Sequence, residues 1–173
     1  GAVCAYIAES DMILLPHACT MSFRGECLET AAGGPVKNFF NKEVSQNYDE
    51  RNSKLNPISR NAHFLIGLLL KELPARARIL CVGVGTGAEL LSLASVYPEW
   101  TFVGLDPSDS MLEVCRERLK EAGVLDRCEL VHGYVQDLPS GERFDAAVSV
   151  LVAHFVKREE RLDFFRHIVS RVI

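Results

Sequence analysis

A glycine-rich turn between a short apolar run and a helical pattern constrains this chain more than any other feature. Residues 79–82 are apolar and partly β-branched, which favours a buried strand. Gly83, Gly85 and Gly87 follow at every second position, and a helix is predicted over residues 88–97, before Pro98. Such a turn binds anions or nucleotides, because glycine lets a ligand approach the main chain and a helix start offers free N–H groups.

Strand and helix patterns continue to alternate along the chain. Further strands are predicted at residues 101–105, 128–131 and 144–150, and further helices at residues 39–48, 62–73, 108–122 and 158–171. On the last helix the predicted apolar face consists of Leu162, Phe165, Ile168 and Val169. Alternation of this kind predicts an α/β fold, a parallel sheet whose strands are joined by helical crossovers.

Composition limits what the chain can be. Its 173 residues, 48% of them hydrophobic, suit one domain with a sizeable core. We expect a domain over residues 38–173 and an N-terminal extension of uncertain origin over residues 1–37, where breakers cluster. The net charge of −4 argues against a large basic surface for nucleic acid, although a small local patch remains open, and no apolar run is long enough to predict a membrane span.

The six cysteines include no C-x-x-C pair, which argues against a zinc site, and no other metal site is predicted. A disulfide framework would be unusual in a chain this long and this apolar. We therefore expect a reducing, cytoplasmic compartment.

After the glycine turn, Asp106 is the second informative feature of the sequence. It lies nineteen residues after Gly87, at the end of the second predicted strand, where an acid can accept both ribose hydroxyls of a nucleoside. The alternative is that Asp106 caps the following helix, although Ser108 is better placed to do so. Together the turn and the acid indicate a nucleoside cofactor.

Four segments resemble the motifs of class I methyltransferases that use S-adenosylmethionine (SAM). They are I-L-C-V-G-V-G-T-G (79–87), V-G-L-D-P-S-D-S-M-L (103–112), V-H-G-Y-V-Q-D-L-P (131–139) and F-D-A-A-V-S (144–149). The resemblance implies a Rossmann-like three-layer sandwich and SAM as cofactor. By its motifs, the methionine part of SAM would lie on Gly83, Gly85 and Gly87, the ribose on Asp106, and the adenine near Pro107, Ser108, Met111, Tyr134 and Val135.

Two positions depart from this family pattern. The family usually has an acid where this chain has Cys81, and that acid helps to organise the site of the methionine ammonium group. It often has Asp where Tyr134 stands, as a partner of the adenine amino group. A buried thiol is mostly uncharged, so both departures weaken polar recognition, although Tyr134 could stack on adenine.

The resemblance implies methyl transfer, with a small molecule as the expected acceptor. His154, just beyond the fourth strand, is the candidate general base, and the alternative is a structural histidine. Two other functions remain open: a SAM-binding module without turnover, which Cys81 and Tyr134 favour, and a nicotinamide-dependent dehydrogenase, which the shape of the glycine turn disfavours.

The family's sheet has seven strands in the order 3-2-1-4-5-7-6, and the four strands predicted here correspond to 3-2-1-4. We therefore expect strands 5–7 to be missing and turnover to be low or absent. Residues 144–150 would then form an apolar edge prone to self-association. The alternative is that residues 1–35 supply a replacement strand, for which residues 11–15 are the best candidate.

Overall fold

The structure, a computed structural model, describes the backbone of Val3–Ile7 and residues 56–173, with side chains from residue 57 onward. Its strands are β1 (Val3–Ile7), β2 (Arg78–Val82), β3 (Thr101–Asp106), β4 (Cys128–His132) and β5 (Ala146–Val150). Its α-helices are α1 (Asn56–Leu70), α2 (Ala88–Val96), α3 (Asp109–Glu121) and α4 (Arg161–Val169).

The strands form one parallel sheet in the order β1-β5-β2-β3-β4. The four predicted strands are all present, and their predicted order 3-2-1-4 is confirmed as β4-β3-β2-β5. Helices cover both faces of the sheet. The side chains of α1, α2 and α3 pack with Ile79 and Cys81 on one face, whereas Ile168 of α4 packs with Leu80 and Val82 on the other. This is the expected three-layer Rossmann-like sandwich.

The expectation that strand four is an exposed edge is wrong for this structure. β1 pairs with the whole of β5, from Val3 opposite Ala146 to Ile7 opposite Val150. The backbone groups on that side of β5 therefore have partners, which removes the reason for self-association there. A segment of residues 1–35 does supply the strand, as the alternative held, but it is Val3–Ile7 and not residues 11–15, which lie outside the described residues.

β5 begins later than predicted, at Ala146 instead of residue 144. The Asp145 side chain accepts a hydrogen bond from the N–H of Arg78 at 2.7 Å, and the Asp145 N–H donates to the Arg78 carbonyl at 2.9 Å. Phe144 instead makes an isolated parallel bridge to Val172. The segment after α4 thus returns to the sheet beside the start of β5.

Two helices differ from their predicted bounds. α1 starts at Asn56 and ends at Leu70, and both bounds are earlier than predicted. Pro57 can occupy the first turn because the N–H that proline lacks would be unpaired there. A 3₁₀ turn over residues 158–160 precedes α4. On α4 the predicted apolar face is partly wrong: Ile168 is buried, but Leu162 and Val169 are exposed.

The predicted helix over residues 39–48 lies outside the described residues. None of the helices in the described part of the chain is long and apolar enough to cross a membrane.

Candidate functional site

The glycine turn connects β2 to α2 and lies at the carboxyl ends of the central strands. Gly83, Gly85 and Gly87 all have positive φ, at 68°, 53° and 84°. A Cβ on Gly83 would lie 2.5 Å from Cγ2 of Val152, and one on Gly87 would lie 2.6 Å from Sγ of Cys115. A Cβ on Gly85 would meet nothing within 4 Å. The outer two glycines are therefore required by packing, whereas Gly85 faces open space where a ligand has room.

Asp106 ends β3 and is tied to this turn. Its Oδ2 accepts from the N–H of Gly85 at 2.9 Å, and its Oδ1 accepts from the N–H of Ser108 at 2.9 Å. The side chain is 8% exposed. Burial raises the carboxyl pKa, against the lowering effects of those two N–H groups and of nearby His132. Each carboxylate oxygen can accept further hydrogen bonds.

Ser108, not Asp106, caps α3. Its hydroxyl accepts from the N–H of Met111 at 3.4 Å. The capping role therefore falls to the residue that the sequence favoured for it. Asp106 holds the turn instead, which leaves its remaining lone pairs for a ligand.

The segment after β4 lies next to Asp106. The N–H of Gly133 donates to the Asp106 carbonyl at 3.0 Å, because Asp106 and His132 are paired in register. Tyr134 follows and is 56% exposed. Its N–H donates to Oδ2 of Asp137 at 2.8 Å, which fixes the start of a short 3₁₀ turn.

The other residues of the predicted adenine region differ in access. Met111 and Val135 are each 3% exposed and belong to the interior, Val135 packing with Leu80 and Leu105. Pro107 is half-buried, and its carbonyl lies 3.1 Å from Nε2 of His132. Of the predicted adenine contacts, Tyr134 is thus the one with an exposed side chain.

His154 lies on the other side of the glycine turn. It sits in a 3₁₀ turn after β5, with its ring tilted against Phe155 at a centroid distance of 3.9 Å. Partial burial lowers its imidazole pKa, and nearby Arg161 lowers it further. β5 and β3 are separated by β2, so two strand spacings, about 10 Å, separate the strand that ends in Asp106 from the one that precedes His154.

Two features of this edge have no signal in the sequence. Leu151, directly after β5, has a φ of 55°, a strained value for a residue that is not glycine. Glu89, in the first turn of α2, is 7% exposed although it is an acid. A helical acid next to a glycine turn is expected on the surface, and only the packing of α2 buries this one.

Cys81 is fully buried on β2, and burial raises the pKa of its thiol well above the ordinary value. The thiol is therefore neutral and does not replace the family's acid at this position. Among the described residues, histidines, cysteines and acids form no group that could hold a metal ion.

A parallel α/β sheet with a glycine turn and an acid at the carboxyl ends of adjacent strands defines the class of nucleoside-cofactor-binding domains. Within that class, residues 79–172 match the methyltransferase domain family, and the chain belongs to this family. The cofactor of the family is SAM.

Individual relatives cover parts of the chain. A carboxy-S-adenosyl-L-methionine synthase of Yersinia pseudotuberculosis is 28% identical over 134 residues, 76% of this chain and 56% of its own length. An rRNA N(6)-adenosine-methyltransferase of Caenorhabditis elegans is 36% identical over 75 residues, 41% of this chain and 35% of its own length. The chain thus spans between a third and somewhat over half of the length of these relatives.

Solved structures share the fold. A protein of Methanococcus maripaludis, assigned to the SAM-dependent methyltransferases, superimposes with a TM-score of 0.63 at 24% identity, over 77% of this chain and 59% of its own. A SAM-dependent methyltransferase from Thiobacillus denitrificans in complex with S-adenosyl-L-homocysteine gives a TM-score of 0.52 at 24% identity, over 63% of this chain and 42% of its own. At this level of identity the similarity confirms the architecture.

Proposed function

We propose that this chain binds SAM at the carboxyl edge of β2 and β3 and takes part in transferring its methyl group to an acceptor. The observation that carries the proposal is the 2.9 Å bond from the Gly85 N–H to Asp106. That bond holds the turn and the acid together as one site, beside which Gly85 leaves open space. The residues fit the cofactor, because they combine an open main-chain surface with a carboxylate that retains acceptor capacity.

Each group has one task at this site. Gly83, Gly85 and Gly87 let the methionine part pass close to the main chain. Asp106 accepts from the ribose hydroxyls, and Tyr134 covers the adenine on the β4 side. The bound cofactor supplies an activated methyl group, so alignment and exclusion of water are the main work of the protein.

For the acceptor we propose a small molecule. The net charge of −4 offers no broad basic surface for nucleic acid. Of the two relatives described above, the carboxy-S-adenosyl-L-methionine synthase covers far more of the chain than the RNA methyltransferase does. A general base is needed only when the acceptor must lose a proton, and His154, with its lowered pKa, would then act in its neutral form.

A second candidate function is SAM binding without turnover. It is favoured by the neutral, buried thiol of Cys81 at the position where similar methyltransferases have an acid. A chain with weakened polar recognition could bind the cofactor without holding it in a reactive position. Release of S-adenosylhomocysteine in the presence of candidate acceptors distinguishes the two functions, because only the methyltransferase forms it.

The proposed site is tested by calorimetric titration of the full chain with SAM and with NAD. We expect SAM to bind and NAD not to bind. Asp106→Ala should weaken SAM binding by about 1.5–3 kcal/mol, because it removes charge-assisted hydrogen bonds. Asp106→Asn, which keeps one acceptor oxygen, should weaken it less.

Asp109→Asn is the matched control, since Asp109 is an exposed acid only three residues away. It should leave the affinity unchanged. Binding of NAD but not SAM would refute the proposed function. Unchanged SAM affinity in a folded Asp106→Ala variant would refute the role of Asp106.

A further inference from the structure

Glu89 is a buried acid beside the glycine turn. It lies two residues after Gly87 on the inner face of α2, next to Leu90, which packs with Cys81 and Cys115 against the sheet. Only 7% of Glu89 is exposed. The carboxyl group therefore lies between the turn and the interior, on the side of the sheet where Cys81 points.

Among the residues that the structure describes, no cation forms an ion pair with Glu89. The nearest candidate, Arg118, donates from Nη1 to the carbonyl and to the hydroxyl of Thr86, each at 3.0 Å. A buried carboxylate without a paired cation is costly, and proteins seldom keep one without a function.

The groups that face Glu89 make its ionisation still harder. Its pKa is raised to about 8: burial is the largest cause and the charge of Asp106 adds to it, while its own backbone N–H and Arg118 act in the opposite direction. The charge of Glu89 in turn helps to raise the pKa of the Cys81 and Cys115 thiols, because these groups lie near it. At neutral pH Glu89 is therefore mostly protonated, and a cation placed beside it would favour its ionised form.

We propose that Glu89 is the carboxylate that binds the ammonium group of the methionine moiety of SAM, in place of an acid at position 81. This inference rests on the proposed function and names the residue that completes the site. The glycine turn puts the amino-acid end of the ligand beside the first turn of α2, where Glu89 lies. An ammonium group provides the cation that the buried carboxyl lacks, and the thiol of Cys81 leaves the position next to it uncharged.

The experiment compares two ligands that differ in the ammonium group. S-adenosylhomocysteine carries the amino-acid part, whereas methylthioadenosine has the same nucleoside and sulfur without it. In Glu89→Gln we expect affinity for S-adenosylhomocysteine to fall about 10- to 100-fold, the range for a charge-assisted hydrogen bond, and affinity for methylthioadenosine to stay within about twofold. Glu117→Gln, at an exposed acid of α3, is the control and should change neither affinity.

Two further measurements extend the test, and the second of them does not depend on the folding of any variant. Cys81→Asp in the Glu89→Gln background should restore much of the lost affinity. In the unchanged chain at pH 7, binding of S-adenosylhomocysteine should release most of a proton as Glu89 ionises, and binding of methylthioadenosine should release none. Titration in two buffers of different ionisation enthalpy measures that proton.

The outcomes separate the two proposals. If the unchanged chain binds neither ligand, the proposed function is wrong and the role of Glu89 is wrong with it. If it binds both but Glu89→Gln weakens both equally, or weakens neither, the proposed function stands and the role of Glu89 is refuted. Binding of S-adenosylhomocysteine without proton release at pH 7 would also refute it.

Discussion

At the residue scale, the site contains two buried acids that differ in their hydrogen-bond partners. Asp106 accepts from two backbone N–H groups of other residues, Gly85 and Ser108, which offset part of its burial. Glu89 has only its own backbone N–H as a compensating bond, and its pKa is raised to about 8. The first acid is held in place by backbone hydrogen bonds, whereas the second favours its protonated form at neutral pH.

This difference predicts a dependence of stability on pH. The pKa of Glu89 is about 8 in the folded chain and near 4.5 in the unfolded chain, so between these values the folded state holds more protons. The free energy of unfolding without ligand should therefore fall as pH rises from 4.5 to 8, by up to about 1.4 kcal/mol per pH unit from this group. Glu89→Gln should remove this contribution. Urea unfolding of both proteins at pH 5, 6 and 7 measures it, and parallel pH profiles would contradict the prediction.

At the element scale, Arg127 holds the end of α2 to the start of β3. Its Nη1 donates to the carbonyls of Tyr97 and Trp100 at 3.1 and 2.9 Å, and its Nη2 donates to that of Ala94 at 2.6 Å. The guanidinium also lies 6.0 Å from the ring centroid of Phe102. One planar side chain thus donates to three carbonyls, of which that of Tyr97 also accepts from the N–H of Trp100 at 3.3 Å.

Replacing the Arg127 guanidinium should lower the stability of the chain without changing the candidate cofactor site. Arg127→Lys keeps the charge but cannot reach three carbonyls at once, and we expect it to lower the free energy of unfolding by about 1–3 kcal/mol. Arg116→Lys, at an exposed arginine of α3, should change it by less than about 0.5 kcal/mol. Denaturant unfolding compares the two variants. Equal stability of both would show that the three carbonyls do not depend on Arg127.

At the scale of the whole molecule, the sheet depends on a strand from the far end of the chain. β1 covers the side of β5 that four strands alone would leave open, and in the family's order it takes the place of strand five. An uncovered parallel strand with apolar side chains recruits other chains. The tendency to self-associate that the sequence predicts for β5 should therefore appear when β1 is removed.

Deletion of residues 1–7 tests this directly. We expect the shortened chain to form larger, concentration-dependent assemblies, seen by light scattering after size-exclusion chromatography. Deletion of residues 1–2 alone leaves β1 intact and serves as the control. A shortened chain with the same mass distribution as the full chain would show that β1 does not protect β5.

The sequence by itself determined the features that depend on neighbouring residues. An apolar β-branched run, alternating glycines and a following helix predict β2, its turn and α2, because each signal lies within a few residues of the next. Asp106 was identifiable for the same reason, since its strand and helix are both locally encoded. The strand order came from the resemblance that these motifs carry.

Only the tertiary structure decided the features that depend on distant contacts. Val3–Ile7 shows no pattern that assigns it to β5, and its pairing depends on an edge supplied more than a hundred residues later. The inner face of α4 contains Ile168 but not Leu162, because the helix axis is set by the sheet and not by its own periodicity. Glu89 looks like any surface acid, and it becomes a candidate ligand only because α2 packs it beside Cys81 and the glycine turn, where burial and not sequence sets its charge.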